Sequence, residues 1–358
     1  MAINGTPPYK AVLTHGFTVD EHGRKQSKSL GNVITPDEVI GKDGADVLRL
    51  WIAATDFSAE MSVSKEILAR TSDSYRRIRN TLRYLLANLD GFDPSQDTVA
   101  FKDMLALDRW MVDRTAQIQK DIIKAYDNYQ FHLIYQKLHN FCVVDLSSFY
   151  IDIIRDRQYT MQTKSLGRRS AQSALYQVAE AVVRWIAPIL CFTADEIWAL
   201  LPGDRSVPVF AAEWQPLQEL TAEALGRDYW REITKVKAAI NKVLEAKRNE
   251  EVIGGPLEAD ITLYADETWH KVLSEVGNEL RFVLLTSSAV LKPLAEANSE
   301  AEATDISGIK INVEPTPNQK CERCFHRVDD VGNSKDHPTL CGRCIVNVDG
   351  DGENRRYV

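Results

Sequence analysis

Hydrophobic residues recur at helical spacing through most of the chain, and this pattern predicts a mainly α-helical protein. In residues 64–89, apolar positions such as Ile78, Leu82 and Leu85 fall on one face of a helix. Further long helices are predicted near 105–126, 130–157 and 167–201. The last should break at Pro188, because proline cannot continue the hydrogen-bond ladder. Successive amphipathic helices joined by short turns predict a helical bundle.

The beginning of the chain departs from this pattern. The β-forming residues at 9–19 predict an extended, half-buried segment, and the polar residues 20–32 predict a loop. Thr35 and Pro36 then suit the N-cap and the first position of a helix. A second helix is predicted at 45–54.

Beyond the bundle the pattern becomes mixed. A connector at 202–227 leads to a helix near 228–250 and then to a small α/β piece. That piece has predicted strands near 259–264 and 286–291, with helices near 267–284 between them. Residues 292–307 have little to bury and predict a linker. A cysteine-containing module follows at 309–358.

Composition excludes several classes of protein. The chain has 358 residues, of which 43 are Lys or Arg and 51 are Asp or Glu, giving a formal net charge of −8. This acidic balance argues against indiscriminate nucleic-acid binding, although local basic patches remain possible. No apolar run approaches the ~18–20 residues of a membrane span, and the N-terminus lacks a signal-peptide pattern. We therefore expect a cytoplasmic protein that does not enter a membrane.

Four of the six cysteines form two Cys-x-x-Cys pairs, Cys321 with Cys324 and Cys341 with Cys344. Two such pairs can bring four thiolates together in the tetrahedral arrangement of structural Zn²⁺ sites, leaving no position for water. We therefore predict a structural zinc ribbon that needs its metal to fold. Redox dithiols or an iron–sulfur cluster are the alternatives, but the βαβ context of a redox dithiol is missing.

Arginine and aromatic residues surround these cysteines. Arg323, Phe325, Arg327 and Arg343 would suit stacking on unpaired bases and contacts to phosphates. The alternative, that Phe325 packs in the ribbon's own small core, is equally compatible with the sequence.

The polar loop near the N-terminus contains Lys25, Ser27, Lys28 and Ser29. Two lysines with two hydroxyls could hold phosphate oxygens, because lysine is a compact charge suited to a triphosphate. On charge pattern alone, a solvated surface loop is the default interpretation.

Residues 25–29 (KQSKS) resemble the KMSKS signature of the class I aminoacyl-tRNA synthetases. Further matches place the chain closest to the bacterial isoleucyl branch of that family. They are residues 15–20 (HGFTVD), 44–51 (GADVLRLW), 73–81 (DSYRRIRNT), 152–159 (DIIRDRQY), 192–198 (FTADEIW) and 279–287 (ELRFVLLTS). The resemblance covers essentially the whole chain.

The chain departs from the family in two respects. The methionine of the signature is Gln26 here, which changes the apolar anchor of the loop but keeps both lysines and both serines. The family's HIGH motif and editing insertion are not in this sequence. We therefore expect the chain to be the C-terminal part of a longer enzyme.

The resemblance implies a ligase that joins isoleucine to its tRNA through an adenylate formed with ATP and Mg²⁺. Lys28 would stabilise the charge that develops on the triphosphate, and Lys25 would play a lesser part. Ser27 and Ser29 would complete the ATP-binding loop. The chain alone is expected to bind tRNA and zinc as a monomer, and neither to aminoacylate nor to edit.

The resemblance also implies a domain plan. Residues 1–60 would end the catalytic core and carry the loop at 25–29, and residues 61–220 would form the anticodon-binding bundle. Residues 221–300 would form a junction domain, and residues 309–358 the zinc ribbon.

Two basic clusters on the predicted bundle suggest tRNA contacts, since contacts to phosphates position RNA. A solvated helix face is the alternative for any single arginine. The predicted contacts are Arg76, Arg77, Arg79, Arg83, Arg155, Arg157, Arg168 and Arg169, together with the four residues near the cysteines.

Two other functions remain to be weighed. One is a stand-alone zinc-ribbon protein that binds nucleic acid, and the other is a helical scaffold with an incidental metal. The phosphate-loop signature, in its strand–loop–helix context, argues against both.

Overall fold

The computed structural model describes residues 5–358. Helices account for 53% of the chain and strands for 8%, which confirms the mainly helical prediction. The first elements are β1 (Thr18–Val19), α1 (Pro36–Asp43), α2 (Ala45–Ala54), β2 (Met61–Ser62) and α3 (Lys65–Asn88). None of the helices within residues 5–358 is both long and apolar enough to cross a bilayer.

A helical region follows. Its elements are α4 (Ala106–Asp127), α5 (Phe131–Asn140), a π-helical segment (Phe141–Ile151), α6 (Asp152–Thr160), α7 (Leu166–Ile186) and α8 (Cys191–Leu200). Helix α7 ends just before Pro188, as predicted. The single helix predicted over 130–157 instead contains 11 residues of π-helix, which apolar periodicity alone does not distinguish from α-helix.

The C-terminal region mixes helices and strands. It contains α9 (Arg227–Asn249), β3 (Ala259–Ala265), α10 (Glu267–Ser274), α11 (Leu280–Leu284), β4 (Ser288–Pro293), β5 (Glu302–Ala303), β6 (Ile309–Pro315) and α12 (Gly342–Asp349).

These elements divide between two compact units. The first comprises Met1–Leu86, Gln117–Val144 and Glu180–Trp214, and the second comprises Ala87–Ala116, Asp145–Ala179 and Gln215–Val358.

In the first unit, β1 and β2 form a short parallel pair, with Thr18 opposite Met61. Gly16 precedes this pair and donates its N–H to Phe57 O at 2.9 Å. A Cβ at Gly16 would lie 2.0 Å from Ala59 O, so this close approach of two backbones requires glycine.

The segment before β1 differs from its prediction. Only two residues of the expected strand at 9–19 are strand, and the side chains of Tyr9, Val12, Leu13 and Phe17 are between 56% and 67% exposed. The half-buried character predicted for residues 9–17 is therefore wrong. Alternating β formers indicate a segment that can pack, but they do not supply the surface that covers it.

Helix ends in the first unit follow the capping rules. Thr35 caps α1 by accepting a hydrogen bond from Glu38 N, and Pro36 occupies its first turn. The carboxylate of Asp46, in the first turn of α2, accepts hydrogen bonds from the N–H groups of Phe192 and Thr193 at the start of α8. A carboxylate suits this place because the N-terminus of a helix carries partial positive charge.

A buried polar cluster organises the second unit. Asp108 of α4 is inaccessible to solvent and accepts hydrogen bonds from Tyr150 and from Ser170. Its main partner is Arg157 of α6, whose two terminal nitrogens reach the two carboxylate oxygens at 2.8 and 2.5 Å. A buried pair of this kind is compatible with folding only because each charge is satisfied by the other.

The second unit also holds a four-stranded sheet of order β4–β3–β6–β5. β3 pairs with β4 in parallel and with β6 in antiparallel orientation, so that Leu263 lies opposite both Leu291 and Ile311. Residues 309–315 were expected to open the cysteine module but instead complete this sheet. Within the predicted linker at 292–307, Glu302–Ala303 forms the edge strand β5.

Candidate functional site

The lysine loop, residues 20–32, is held in place at its base by Asp20 and Asn32. The side-chain N–H₂ of Asn32 donates to Asp20 Oδ2 at 2.9 Å, and Asn32 Oδ1 accepts from Ser27 N at 2.9 Å. Asp20 also accepts from the N–H of Arg24 and from its guanidinium. These hydrogen bonds, led by that of Asn32, hold the pKa of Asp20 well below its usual range.

Within the loop, the signature residues form one short turn. Lys28–Leu30 is a 3₁₀-helix whose N-cap is Ser27, and the Ser27 hydroxyl accepts from Leu30 N. Gly31 closes the turn with φ +65°, a conformation that glycine adopts at little cost, and donates its N–H to Lys28 O. Ser27 Oγ lies 3.1 Å from Ser29 Oγ, so the two hydroxyls share one side of the turn.

Both lysines of the loop are exposed. Lys25 Nζ lies 4.1 Å from the centre of the Phe17 ring, which is itself 62% exposed. Two accessible ammonium groups on an ordered turn with two hydroxyls form an arrangement that can bind phosphate oxygens. The geometry is therefore compatible with the predicted ATP contacts of Lys25, Ser27, Lys28 and Ser29.

Gln26, which stands where the signature has methionine, leaves one polar atom of its side chain without a partner. Its backbone N–H donates to Thr18 O at 3.1 Å, but its side-chain Nε2 is buried and has no hydrogen-bond partner. An unsatisfied buried donor destabilises its surroundings. The anchor of the loop is thus weaker than an apolar side chain would make it.

The four cysteines of the C-terminal module lie together. The sulfurs of Cys321, Cys324, Cys341 and Cys344 are all within 4.8 Å of one another, and all four residues are buried. Cys324 Sγ and Cys341 Sγ are 3.7 Å apart, close to the ~3.8 Å expected between ligands of a tetrahedral Zn²⁺ with 2.3 Å bonds. The donor set and its spacing fit Zn²⁺ with four protein ligands.

The two cysteine pairs occupy different local structures. Around the first pair, Phe325 N donates to Cys321 O and Cys321 N donates to His326 O, each at 2.9 Å, which makes a tight turn. Phe325 in this turn has φ +64°. Around the second pair, Cys341 is the N-cap of α12 and Cys344 lies in its first turn.

Asp156 of α6 binds the zinc module, residues 318–358. Arg343 reaches its two carboxylate oxygens at 2.7 and 2.9 Å, and Arg355 forms a further ion pair with it. Burial alone would raise the pKa of Asp156, but the two guanidinium groups hold it well below its usual range. Both arginines also donate to Glu353, which is thus a second acceptor that lies within the zinc module itself.

Three arginines that we predicted as tRNA contacts are engaged inside the second unit, and the prediction is corrected for them. Arg157 is fully buried against Asp108. Arg169 is also buried and bonds to Gly91 O and Gln172, and Arg343 is committed to Asp156. Each belongs to a basic stretch of sequence, but its charge is used to hold the fold.

The remaining predicted RNA contacts differ in availability. Arg76, Arg77 and Arg83 of α3 are exposed, whereas Arg79 makes two hydrogen bonds with Glu196. In the second unit Arg155 and Phe325 are exposed. Arg168, Arg323 and Arg327 are half-buried.

Three family models match the chain. Residues 1–64 match a model described as tRNA synthetases class I (I, L, M and V), and residues 108–263 match the anticodon-binding domain of tRNA ligase. Residues 318–346 match a zinc finger found in FPG and IleRS, which confirms structural Zn²⁺ as the metal of the cysteine cluster.

Curated relatives match along the whole of this chain. An isoleucine–tRNA ligase of Teredinibacter turnerae is 60% identical over 358 residues, which are 100% of this chain and 38% of the relative. Over its whole length, the chain is similar to the C-terminal part of isoleucine–tRNA ligases. Ligases of the same name from Shewanella sp. and Saccharophagus degradans are 57% and 56% identical over 99% and 100% of the chain, again 38% of their own length. The chain thus spans the C-terminal 38% of these isoleucyl-tRNA synthetases.

Two solved synthetase structures match the chain in part. A LeuRS–tRNA–LeuAMS ternary complex from Agrobacterium radiobacter K84 is 20% identical and covers 57% of this chain and 24% of its own, with a TM-score of 0.44. The methionyl-tRNA synthetase of Mycobacterium tuberculosis with methionyl-adenylate is 18% identical and covers 59% of this chain and 42% of its own, also at 0.44.

Sequence reasoning missed Asp20, Asn32 and Asp156, which position the two sites of this chain. Asn32 follows the signature directly and Asp20 precedes it, so their position at the two ends of a loop was an available signal. Asp156 stands in a charged stretch, and nothing local indicates that its partners lie 187 and 199 residues further along the chain.

Proposed function

We propose that this chain is the tRNA-binding part of an isoleucine–tRNA ligase, whose full length joins L-isoleucine to its tRNA with ATP and Mg²⁺ through an adenylate. The observation that carries the proposal is the match along the whole chain at 60% identity to a ligase of that name. The proposal includes a monomeric protein of the cytoplasm. Its domains are those expected above, except that residues 309–315 belong to the junction sheet.

For the chemistry of the full-length ligase, we assign the lysine loop to the triphosphate. Lys28 leads the 3₁₀ turn and would stabilise negative charge as pyrophosphate leaves, with Lys25 in a supporting role. Ser27 and Ser29 would donate hydroxyl hydrogen bonds to phosphate oxygens. Asp20 and Asn32 hold the turn, so the loop meets the nucleotide already ordered.

For tRNA, we assign two sets of exposed or half-buried residues, one in each unit. Arg76, Arg77 and Arg83 would contact phosphates along α3, and Arg155, Arg323 and Phe325 would contact RNA beside the cysteine cluster. Arg79, Arg168 and Arg327 can contribute only if their present partners or neighbours give way. Zn²⁺ would keep the ribbon folded and would take no part in the reaction, because all its ligands come from the protein.

The proposal is tested by direct binding. The zinc-loaded chain is titrated with isoleucine tRNA and with the same tRNA carrying another anticodon, at one fixed salt concentration, because phosphate contacts make RNA affinity strongly salt-dependent. Tighter binding of the native anticodon is expected. Equal binding would favour the second candidate, a zinc-ribbon protein that binds nucleic acid without reading the anticodon, and no binding would contradict both.

A second measurement asks whether this chain alone has the activation and editing activities that we assign to other parts of the full-length enzyme. The chain alone is expected to support neither isoleucine-dependent pyrophosphate exchange nor hydrolysis of mischarged tRNA. Pyrophosphate exchange by the purified chain would show that the missing part is not needed and would contradict this division.

A further inference from the structure

A cavity of about 290 Å³ lies in the second unit beside the first cysteine pair. Residues of α6, residues around α11 and the turn that carries Phe325 form its walls, and Leu257, Phe282 and Leu285 make much of the lining apolar. Its volume is at the lower end of the ~300–1,000 Å³ found for small-ligand pockets. The size and chemistry suit one planar ring system.

Two aromatic side chains line this cavity and also reach solvent. Phe325 is 53% exposed and Tyr159, on α6, is 58% exposed. The alternative that Phe325 packs in the core of the ribbon is therefore excluded. Exposed aromatic rings are the platforms on which proteins stack unpaired bases.

The backbone of the cavity is locally strained. Among the described residues, four that are not glycine have positive φ, and two of these, Leu285 at +60° and Phe325 at +64°, line the cavity. Such conformations cost energy for residues with a Cβ and concentrate at functional sites. At Phe325, glycine would adopt the same φ at little cost, so the ring is present at a conformational cost.

His326 adds a ring nitrogen to the lining, which also contains charged side chains, those of Asp152, Asp156, Arg155 and Arg323. The residue is 4% exposed and its Nδ1 is buried without a hydrogen-bond partner. Its Nε2 lies 3.8 Å from Asp156 Oδ1, which favours the tautomer with the proton on Nε2. Nδ1 is then an unsatisfied acceptor, and a ligand with an N–H on its edge would satisfy it.

Two cations complete the site. Arg155 is exposed and Arg323 is half-buried, and both line the cavity. Arg323 donates to Thr160 O at 2.5 Å, which fixes its position. Cations beside a pocket for a planar ring are the arrangement expected for a base that enters with its phosphate attached.

We propose that the cavity receives one unpaired base of bound tRNA, placed against the rings of Phe325 and Tyr159 with its N–H edge at His326 Nδ1 and its phosphate near Arg155 and Arg323. This inference rests on the proposed function, since it takes tRNA as the partner. It goes further because it names the site of one base, the rings on which that base stacks and the nitrogen that accepts from its edge.

The test combines protein variants with damaged tRNA. Isoleucine tRNA transcripts are made with a single abasic nucleotide at each unpaired position in turn, and each is titrated against the wild-type chain, Phe325→Gly and Tyr159→Ala. Phe325→Gly removes the ring while relieving the backbone, and equal zinc content of all proteins shows that the ribbon is folded. Phe210→Ala, which also removes an exposed ring, is the matched control.

If the proposal is right, Phe325→Gly and Tyr159→Ala each bind intact tRNA about tenfold more weakly than the wild type, as expected for loss of one stacked base. One abasic position should weaken wild-type binding to a similar extent, and combining it with Phe325→Gly should cause no further loss. Phe210→Ala should leave the affinity unchanged.

Two outcomes overturn the proposal in different ways. If intact tRNA binds the wild type but the two variants bind equally well, or no abasic position is coupled to Phe325, the cavity holds no base and the proposed function still stands. If the wild type binds no tRNA, the proposed function fails and this inference fails with it.

Discussion

The lysine loop of the first unit leaves Lys25 and Lys28 in solvent, whereas the zinc module of the second unit holds the half-buried Arg343 and the buried Arg355 against Asp156. The loop is held by a few hydrogen bonds between neighbours in sequence. The module is held by a metal cluster and by ion pairs to a distant helix. Both regions contain basic residues, but Lys25 and Lys28 are exposed whereas Arg343 and Arg355 are engaged by Asp156.

This contrast shows that a basic stretch of sequence has two different uses. Exposed lysines retain their hydration and can exchange it for phosphate oxygens, so they suit a transient ligand. Arginines that are enclosed with carboxylates have already replaced their hydration with hydrogen bonds inside the protein. Disrupting the module should therefore cost stability, while disrupting the loop should mainly cost function.

The largest effect is expected from removing zinc. A structural zinc site contributes binding free energy on the order of 10 kcal/mol to folding, so chelation or Cys344→Ser should unfold residues 318–346. The lysine loop should be unaffected. Amide hydrogen exchange would measure both regions at once.

Cys191→Ser is the control for this experiment, because Cys191 is a half-buried cysteine outside the cluster. Protection of the module that persists in the metal-free chain would contradict the role given to zinc.

A smaller effect is expected from Asp156→Ala. It would leave the buried Arg355 and the half-buried Arg343 without their main acceptor, at a cost of about 3–5 kcal/mol. Urea unfolding of the zinc-loaded chain would measure it. Asp152→Ala, one turn earlier on α6, removes a loose 3.6 Å pair with Arg155 and the attraction of Asp152 for the Lys237 ammonium, and should cost less than Asp156→Ala. Equal costs for the two variants would mean that Asp156 is not the main attachment of the module.

Lys237 of α9 extends the comparison to a lysine that is buried. It is 2% exposed, its Nζ has no hydrogen-bond partner, and burial lowers its pKa from 10.5 to about 8, with Asp152 opposing the shift. Below pH 8 both the native and the unfolded lysine are charged, so the native state carries the full cost. Lys237→Met should therefore stabilise the chain by about 3 kcal/mol at pH 7.

The stability difference between the wild type and Lys237→Met should change with pH in a direction that the lowered pKa of Lys237 determines. Between pH 8 and 10.5 the native Lys237 has lost its proton while the unfolded chain still holds it, so the wild type gains stability as pH rises. The advantage of Lys237→Met should shrink over that range. An advantage that is the same at pH 7 and pH 10 would show that the charge is not its cause.

The smallest effect is expected in the lysine loop itself. Gln26→Met replaces an unsatisfied buried amide with an apolar side chain and should stabilise the loop by about 1 kcal/mol. Slower amide exchange at residues 25–31 would show it. Gln96→Met, at an exposed glutamine, should change nothing, and a loop that exchanges faster in Gln26→Met would contradict the assignment.

Local signals predicted much of the fold. The capping residues Thr35 and Pro36 placed the start of α1, and Pro188 placed the end of α7. The two Cys-x-x-Cys pairs predicted the cysteine cluster, because the spacing itself creates the geometry. These features depend on residues a few positions apart, and sequence patterns are informative at that range.

Features that depend on distant residues were not predictable in the same way. The charge of Arg157 suggested a surface, but burial against Asp108, 49 residues away, reverses that interpretation. The alternation of Ile309, Ile311 and Val313 was an available signal for β6, whereas its pairing with β3 was not. The exposure of residues 9–17 shows the same limit, since a pattern indicates the capacity to pack but not the presence of a partner.

The close approach of Cys324 and Cys341 has a consequence for handling this protein. Their sulfurs are 3.7 Å apart in the folded module, and loss of the metal would release these two buried cysteines as free thiols. An oxidant acting before zinc returns would join these thiols in a disulfide. The oxidised sulfurs could then no longer bind the metal. We therefore expect reconstitution to succeed when a reductant precedes the zinc salt, and to fail when air reaches the stripped chain first.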